Sequence, residues 1–162
     1  MCSSGRHVLS VENIAERCLK EGFEIIYIHP RSFKDLNKLI RFKENLFQNN
    51  HNIFGIVSEL ERKENKSLIE FIKGNSIYHL LQMAVPIGKG GQNFCWNATD
   101  RIIEFNKYCS SLVNIEIDGG LTFNVLNKLK NYSINRFAGW SIIQDSDPSI
   151  VLSKALKINQ NI

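Results

Sequence analysis

Val113-Asn114-Ile115-Glu116-Ile117-Asp118-Gly119-Gly120 is an apolar run that ends in one carboxylate and then two glycines. A lone acid at the C-terminal mouth of a strand, beside backbone that carries no side chains, is how an α/β protein sets a proton-transfer group next to an anion. The chain holds only five aspartates, so the position of this one is informative. Two more strand-like runs lead into glycine: Gly88-Lys89-Gly90-Gly91 follows Met83-Ala84-Val85, and Gly139 follows Asn135-Arg136-Phe137-Ala138. Backbone N–H groups that only glycine lets approach a ligand would converge from these joins on a phosphate. The expected substrate is therefore phosphorylated.

The elements that must position these residues read as six apolar strands alternating with six helices. Strands are expected over 7–11, 23–29, 52–58, 77–85, 113–118 and 135–138. Helices are expected from about 12 to 21, stopping at Gly22, around Leu36 to Leu46, over 68–72, over 98–109 and around Val125 to Leu129. A final helix has Asp147 as N-cap and Pro148 in its first turn. Strict alternation implies a parallel sheet covered by helices, which fits both an open doubly wound sheet and a (β/α) barrel. A dinucleotide-binding fold would place GxGxxG after the first strand, whereas that join has no glycine. Glycine-bearing loops at the same end of three successive strands favour the barrel.

Composition sets broader limits. At 162 residues, 43% hydrophobic and 22% charged, residues 1–158 are expected to form one domain around one core, with 159–162 a frayed tail. The surplus of 20 basic over 16 acidic residues is scattered, which suits an anionic metabolite and gives no nucleic-acid footprint. Cys2, Cys18, Cys95 and Cys109 lack metal-ligand spacing and read as thiols in a reducing, cytoplasmic setting. No apolar run reaches the roughly 20 residues of a membrane span.

The segment Met83-Ala84-Val85-Pro86-Ile87-Gly88-Lys89-Gly90-Gly91-Gln92-Asn93-Phe94 resembles the loop after the sixth strand of the ribulose-phosphate 3-epimerases. Asp118-Gly119-Gly120 resembles the end of that family's seventh strand, and Ala138-Gly139-Trp140-Ser141 with Asp147-Pro148 resembles its eighth unit. Upstream, Gly22 to His29 is similar to the fourth strand and Leu9 to Asn13 to the end of the third. The resemblance implies a TIM barrel and an enzyme of the pentose phosphate pathway. It further implies inversion at C3 of a ketopentose 5-phosphate, interconverting ribulose 5-phosphate and xylulose 5-phosphate. Two aspartates on opposite faces of the sugar exchange the proton through an enediolate, with a divalent cation (Zn, Fe, Mn or Co) polarising the oxygens. By resemblance, Asp118 is a catalytic acid/base and a metal ligand. Gly88, Lys89, Gly90, Gly91, Gly119, Gly120, Gly139 and Trp140 match the phosphate grip, and His29 and Met83 match residues at the substrate.

Several departures stand out. The resemblance begins at the third strand, so the partner aspartate and the histidine of the second strand have no counterpart, and Val8 stands where the third strand's histidine is expected. His7 is one residue away, on the opposite face of a strand. Lys89 replaces an aromatic residue, and Trp140 a small hydroxyl residue. An incomplete barrel of about six β/α units, lacking the first two strands, leaves unpaired edges, for which a homo-oligomer or a complementing chain is the expected remedy. Two functions stay open: an epimerase-like isomerase, or a catalytically inactive remnant that binds a phosphorylated sugar or acts only with a partner chain; a third, another phosphate-binding barrel such as a decarboxylase of related design, fits the loops but explains Met83 and Gln92 less well.

Overall fold

The computed structural model describes residues 10–47, 54–60, 65–109, 112–139, 150 and 153. Ser10 opens the first helix, α1 (Val11–Lys20), its hydroxyl accepting from the Asn13 N–H at 3.2 Å. The helix ends at Gly22, whose φ of +80° lets the Gly22 and Phe23 N–H groups double back to the Leu19 and Cys18 carbonyls. The expected strand over 7–11 therefore does not extend to its last two residues: Ser10 caps and Val11 is helical, and 7–9 lie outside the described residues.

From there strands and helices alternate: β1 (Ile26–Ile28), α2 (Leu36–Phe47), β2 (Phe54–Ser58), α3 (Asn65–Gly74), β3 (His79–Met83), α4 (Asn97–Cys109), β4 (Asn114–Asp118), α5 (Phe123–Leu129) and β5 (Arg136–Ala138). A 3₁₀ turn, Pro30–Ser32, follows β1. Every strand pairing is parallel, and the spatial order is β1-β2-β3-β4-β5. A doubly wound sheet reverses its strand order at a switch point. This one never does, so it is an arc of a barrel wall. The expected last helix, from Asp147 and Pro148, starts outside the described residues, as do Trp140 and the 159–162 tail.

Register separates the two faces of the sheet. Ile56, Leu80 and Ile115 are partners along one rung, as are Gln82 and Ile117 along another; these side chains point toward the helices and are almost fully buried. Leu39 of α2, Ile72 of α3, Ile102 and Phe105 of α4 and Leu129 of α5 complete that core. At roughly 25 cal/mol per Å² of apolar area, this layer is the main source of stability. The opposite, inner face carries Tyr27, Gly55, Val57, His79, Leu81 and Glu116. Gly55 is required there: a Cβ would strike the Tyr27 ring lying over it. Burial and the neighbouring Glu116 carboxylate push the Tyr27 hydroxyl up, and Arg136 on β5 pairs with Glu116 at 3.2 Å. Cys18, Cys95 and Cys109 are free thiols, and among the described residues no helix is long and apolar enough to cross a membrane.

Candidate active site

The inner face carries its chemistry to the C-terminal ends of the strands. Met83, Asp118 and Ala138 are successive register partners, so β3, β4 and β5 end at one level. Past Met83 the chain folds back over those ends before entering α4. The Ala84 N–H donates to the Asp118 carbonyl at 2.6 Å, and the Cys95 N–H donates to the Ala84 carbonyl at 2.8 Å. Both feet of the loop are thereby tied to the strand ends. Between them, the Gln92 amide donates to the Pro86 carbonyl at 2.6 Å and the Lys89 carbonyl at 2.8 Å, bracing the glycine segment from within.

Gly119 and Gly120 serve this arrangement twice over. Their φ values, +110° and +63°, lie where side chains are strained. A Cβ on Gly119 would also stand 2.5 Å from Val85 Cγ2, and one on Gly120 would run into the Phe94 backbone. The glycine pair is the seat on which the loop rests. Gly88 and Gly91 also have positive φ but face open space.

Loop and strand ends enclose a cavity of about 370 Å³, within the size range of small-molecule sites. Asp118, Met83, Gly119 and Gly120 line one part of its wall, and Gly88, Lys89, Gly90 and Gly91 another. His29 reaches it from the end of β1. Gly139 follows β5 at the same end of the sheet but does not line the cavity, and Trp140 lies outside the described residues. Burial pushes the Asp118 carboxyl above the usual carboxylate range, partly offset by the hydrogen bond from the Gly119 N–H. A carboxyl so placed is suited to exchange a proton with carbon.

Sequence reasoning missed Glu59. It follows β2 directly and is buried, with one oxygen 2.9 Å from His29 Nδ1 and 3.2 Å from Arg31 Nε. An ionised carboxylate only accepts, so Nδ1 carries the hydrogen and Nε2 is the ring nitrogen left for the cavity. The available signal was an acid closing an apolar strand, the same signal that marks Asp118.

The metal-binding role that resemblance gives Asp118 fares differently. Among the described residues no group of three or more His, Cys, Asp or Glu side chains gathers to hold a metal ion. His29 shares the cavity with Asp118, and with Nδ1 bonded to Glu59 its Nε2 is the only further His, Cys, Asp or Glu donor on the described wall. Among the described residues the donors thus fall short of the set that holds a divalent cation firmly.

A parallel sheet in sequential order, with helices alternating between its strands, defines a (β/α)-barrel protein, and the candidate site lies at the strand C-termini, where such barrels carry theirs. The sequence profile of the ribulose-phosphate 3-epimerase family matches residues 7–143. The chain belongs to that family. Among solved structures, KGPDC from Streptococcus mutans superposes with a TM-score of 0.63 at 11% identity, covering 92% of this chain and 66% of that one. The YdjI aldolase from Escherichia coli K12 superposes with a TM-score of 0.55 at 12% identity, covering 94% and 62%. At such identities the likeness is one of fold, and this chain spans about two thirds or less of either neighbour's length. No curated protein gives a significant sequence match.

Proposed function

We propose that the chain binds a ketopentose phosphate with its phosphate against the Gly88–Gly91 and Gly119–Gly120 loops, and that Asp118 exchanges the proton at C3, as in the interconversion of ribulose 5-phosphate and xylulose 5-phosphate. The observation that carries this reading is Asp118 itself, a carboxyl raised by burial on the wall of a glycine-lined cavity. As carboxylate it takes the C3 proton; as acid it returns one. Desolvation supplies the raised basicity, and the loop that covers the strand ends keeps that environment in place.

A second reading is favoured by a specific feature: among the described residues Asp118 is the one carboxylate on the cavity wall. On that reading the chain binds the sugar phosphate without inverting it. The outer strands β1 and β5 have no second neighbour in the sheet among the described residues, and a further copy or a complementing chain at those edges belongs to the proposal. The test is incubation of the chain with ribulose 5-phosphate in D₂O, with and without added divalent metal, followed by proton NMR. Deuterium entering C3 supports acid/base chemistry, binding without exchange supports the second reading, and neither binding nor exchange refutes both.

A further inference from the structure

His29 and Asp118 stand at the ends of β1 and β4, three strand positions apart, or roughly 14 Å along the sheet at about 4.8 Å per strand. Both line one cavity. Beyond lining it, His29 is held: its Nδ1 bonds to Glu59, a carboxylate that is 6% exposed and is itself braced by Arg31. A buried acid fixing the far nitrogen of a third-exposed imidazole is the arrangement that aims Nε2 and sets its tautomer.

We propose that His29 is the second proton-transfer group of this site, on the face of the sugar opposite Asp118, with Glu59 as its positioning residue. This rests on the reading of Asp118 as the C3 base. In one direction the Asp118 carboxylate removes the proton from C3; the C–H electron pair becomes the C2–C3 double bond, and the carbonyl pair moves onto the C2 oxygen as enediolate. The His29 imidazolium then delivers its Nε2 proton to C3 from the other face, and the carbonyl re-forms. Asp118 ends protonated and His29 neutral, and exchange with water resets both. The reverse reaction runs through the same two groups with roles exchanged.

The experiment compares the full chain with H29A, E59Q and D118N, following C3 deuterium entry and inversion of ribulose 5-phosphate separately. For H29A the expected result is at least a hundredfold loss of inversion, partly restored by added imidazole, while deuterium still enters whichever epimer presents its C3 hydrogen to Asp118. D118N loses the exchange that H29A keeps. E59Q lowers kcat for inversion about tenfold with KM unchanged, a split that loss of structure would not produce. If the wild-type chain inverts the sugar and H29A inverts it equally well, His29 is not the second group and the reading of Asp118 stands. If the wild-type chain exchanges deuterium without inverting, His29 delivers no proton and this proposal alone fails. If the wild type does neither, the reading of Asp118 falls first and this one with it.

Discussion

Replacing Gly120 by alanine tests whether the glycine pair is the seat of the loop that follows β3. At φ +63° an alanine costs about 1 to 2 kcal/mol of backbone strain. Its Cβ would also meet the Phe94 backbone, which cannot swing aside as a flexible side chain would. Forcing it in displaces the loop, at a further cost of about 1 to 3 kcal/mol. The expected total is about 3 kcal/mol, which for a chain of this size lowers the melting temperature by about 6 to 12 °C. Thermal and urea unfolding measure it, with two controls on the same cavity wall. Gly90 has no positive φ and open space around it, so Gly90→Ala is expected within about 0.5 kcal/mol of wild type. Gly88 has open space but a φ of +108°, so Gly88→Ala should show backbone strain alone and fall between the two. Ribulose 5-phosphate binding should weaken most in Gly120→Ala, because Phe94 carries the displaced loop. A Gly120→Ala variant that melts within a degree of wild type would refute the contact and the role assigned to it.

Burial holds the folded pKa of Asp118 above its unfolded value. The folded state therefore binds more protons once the pH exceeds the unfolded value of 3.8, and this residue's contribution to stability falls as pH rises through the folded pKa and then levels off. Asp118→Asn is accordingly expected to melt higher than wild type at pH 7, to match it below pH 4 and to have no exchange activity, as calorimetry across pH and the deuterium assay would show. Gln92→Ala loses the two bonds to the Pro86 and Lys89 carbonyls at an exposed site, so stability should drop by about 1 kcal/mol or less while ribulose 5-phosphate affinity falls several-fold by calorimetry. Size-exclusion chromatography with light scattering should find a dimer or larger species, and a compact, cooperatively melting monomer would remove the proposed covering of the β1 and β5 edges.

Much of the fold was legible because apolar runs and helical periods are local signals. Leu80, Ile115 and Ile117 mark strands wherever they pack, and each described strand from β1 onward falls within the run expected for it. The expected first strand runs two residues too far because Val8 and Val11 are β-branched and read as strand, while Ser10 acts as N-cap and Val11 is helical. That contest between side-chain propensity and one capping bond is settled by the hydroxyl reaching the Asn13 N–H. In the site, Asp118 and the glycines were legible because an acid that ends an apolar run and is followed at once by two glycines is a local pattern. Glu59 was not, because it opens the charge-rich run Glu59-Leu60-Glu61-Arg62-Lys63-Glu64, which has the look of a solvated loop. Its partners His29 and Arg31 lie about thirty residues upstream and are brought alongside by the β1–β2 pairing.

The structure joins two features that the sequence presents side by side without linking. The loop after β3 is seated on Gly119 and Gly120, and its first residue is bonded to the carbonyl of Asp118. Desolvation is also the leading cause of the raised Asp118 carboxyl. On the inner face two residues before Asp118, Glu116 is paired with Arg136, which places that neighbouring charge in an ion pair of its own. A loop seated on the glycine pair and a carboxyl that gains basicity from burial are then one device. Loosening the seat at Gly120 would let water reach Asp118 and return its pKa toward the ordinary carboxylate range. The proton-transfer limb of the rate profile in Gly120→Ala should accordingly move to lower pH, in addition to the weaker binding; a limb unmoved by that substitution would separate the loop from the acid.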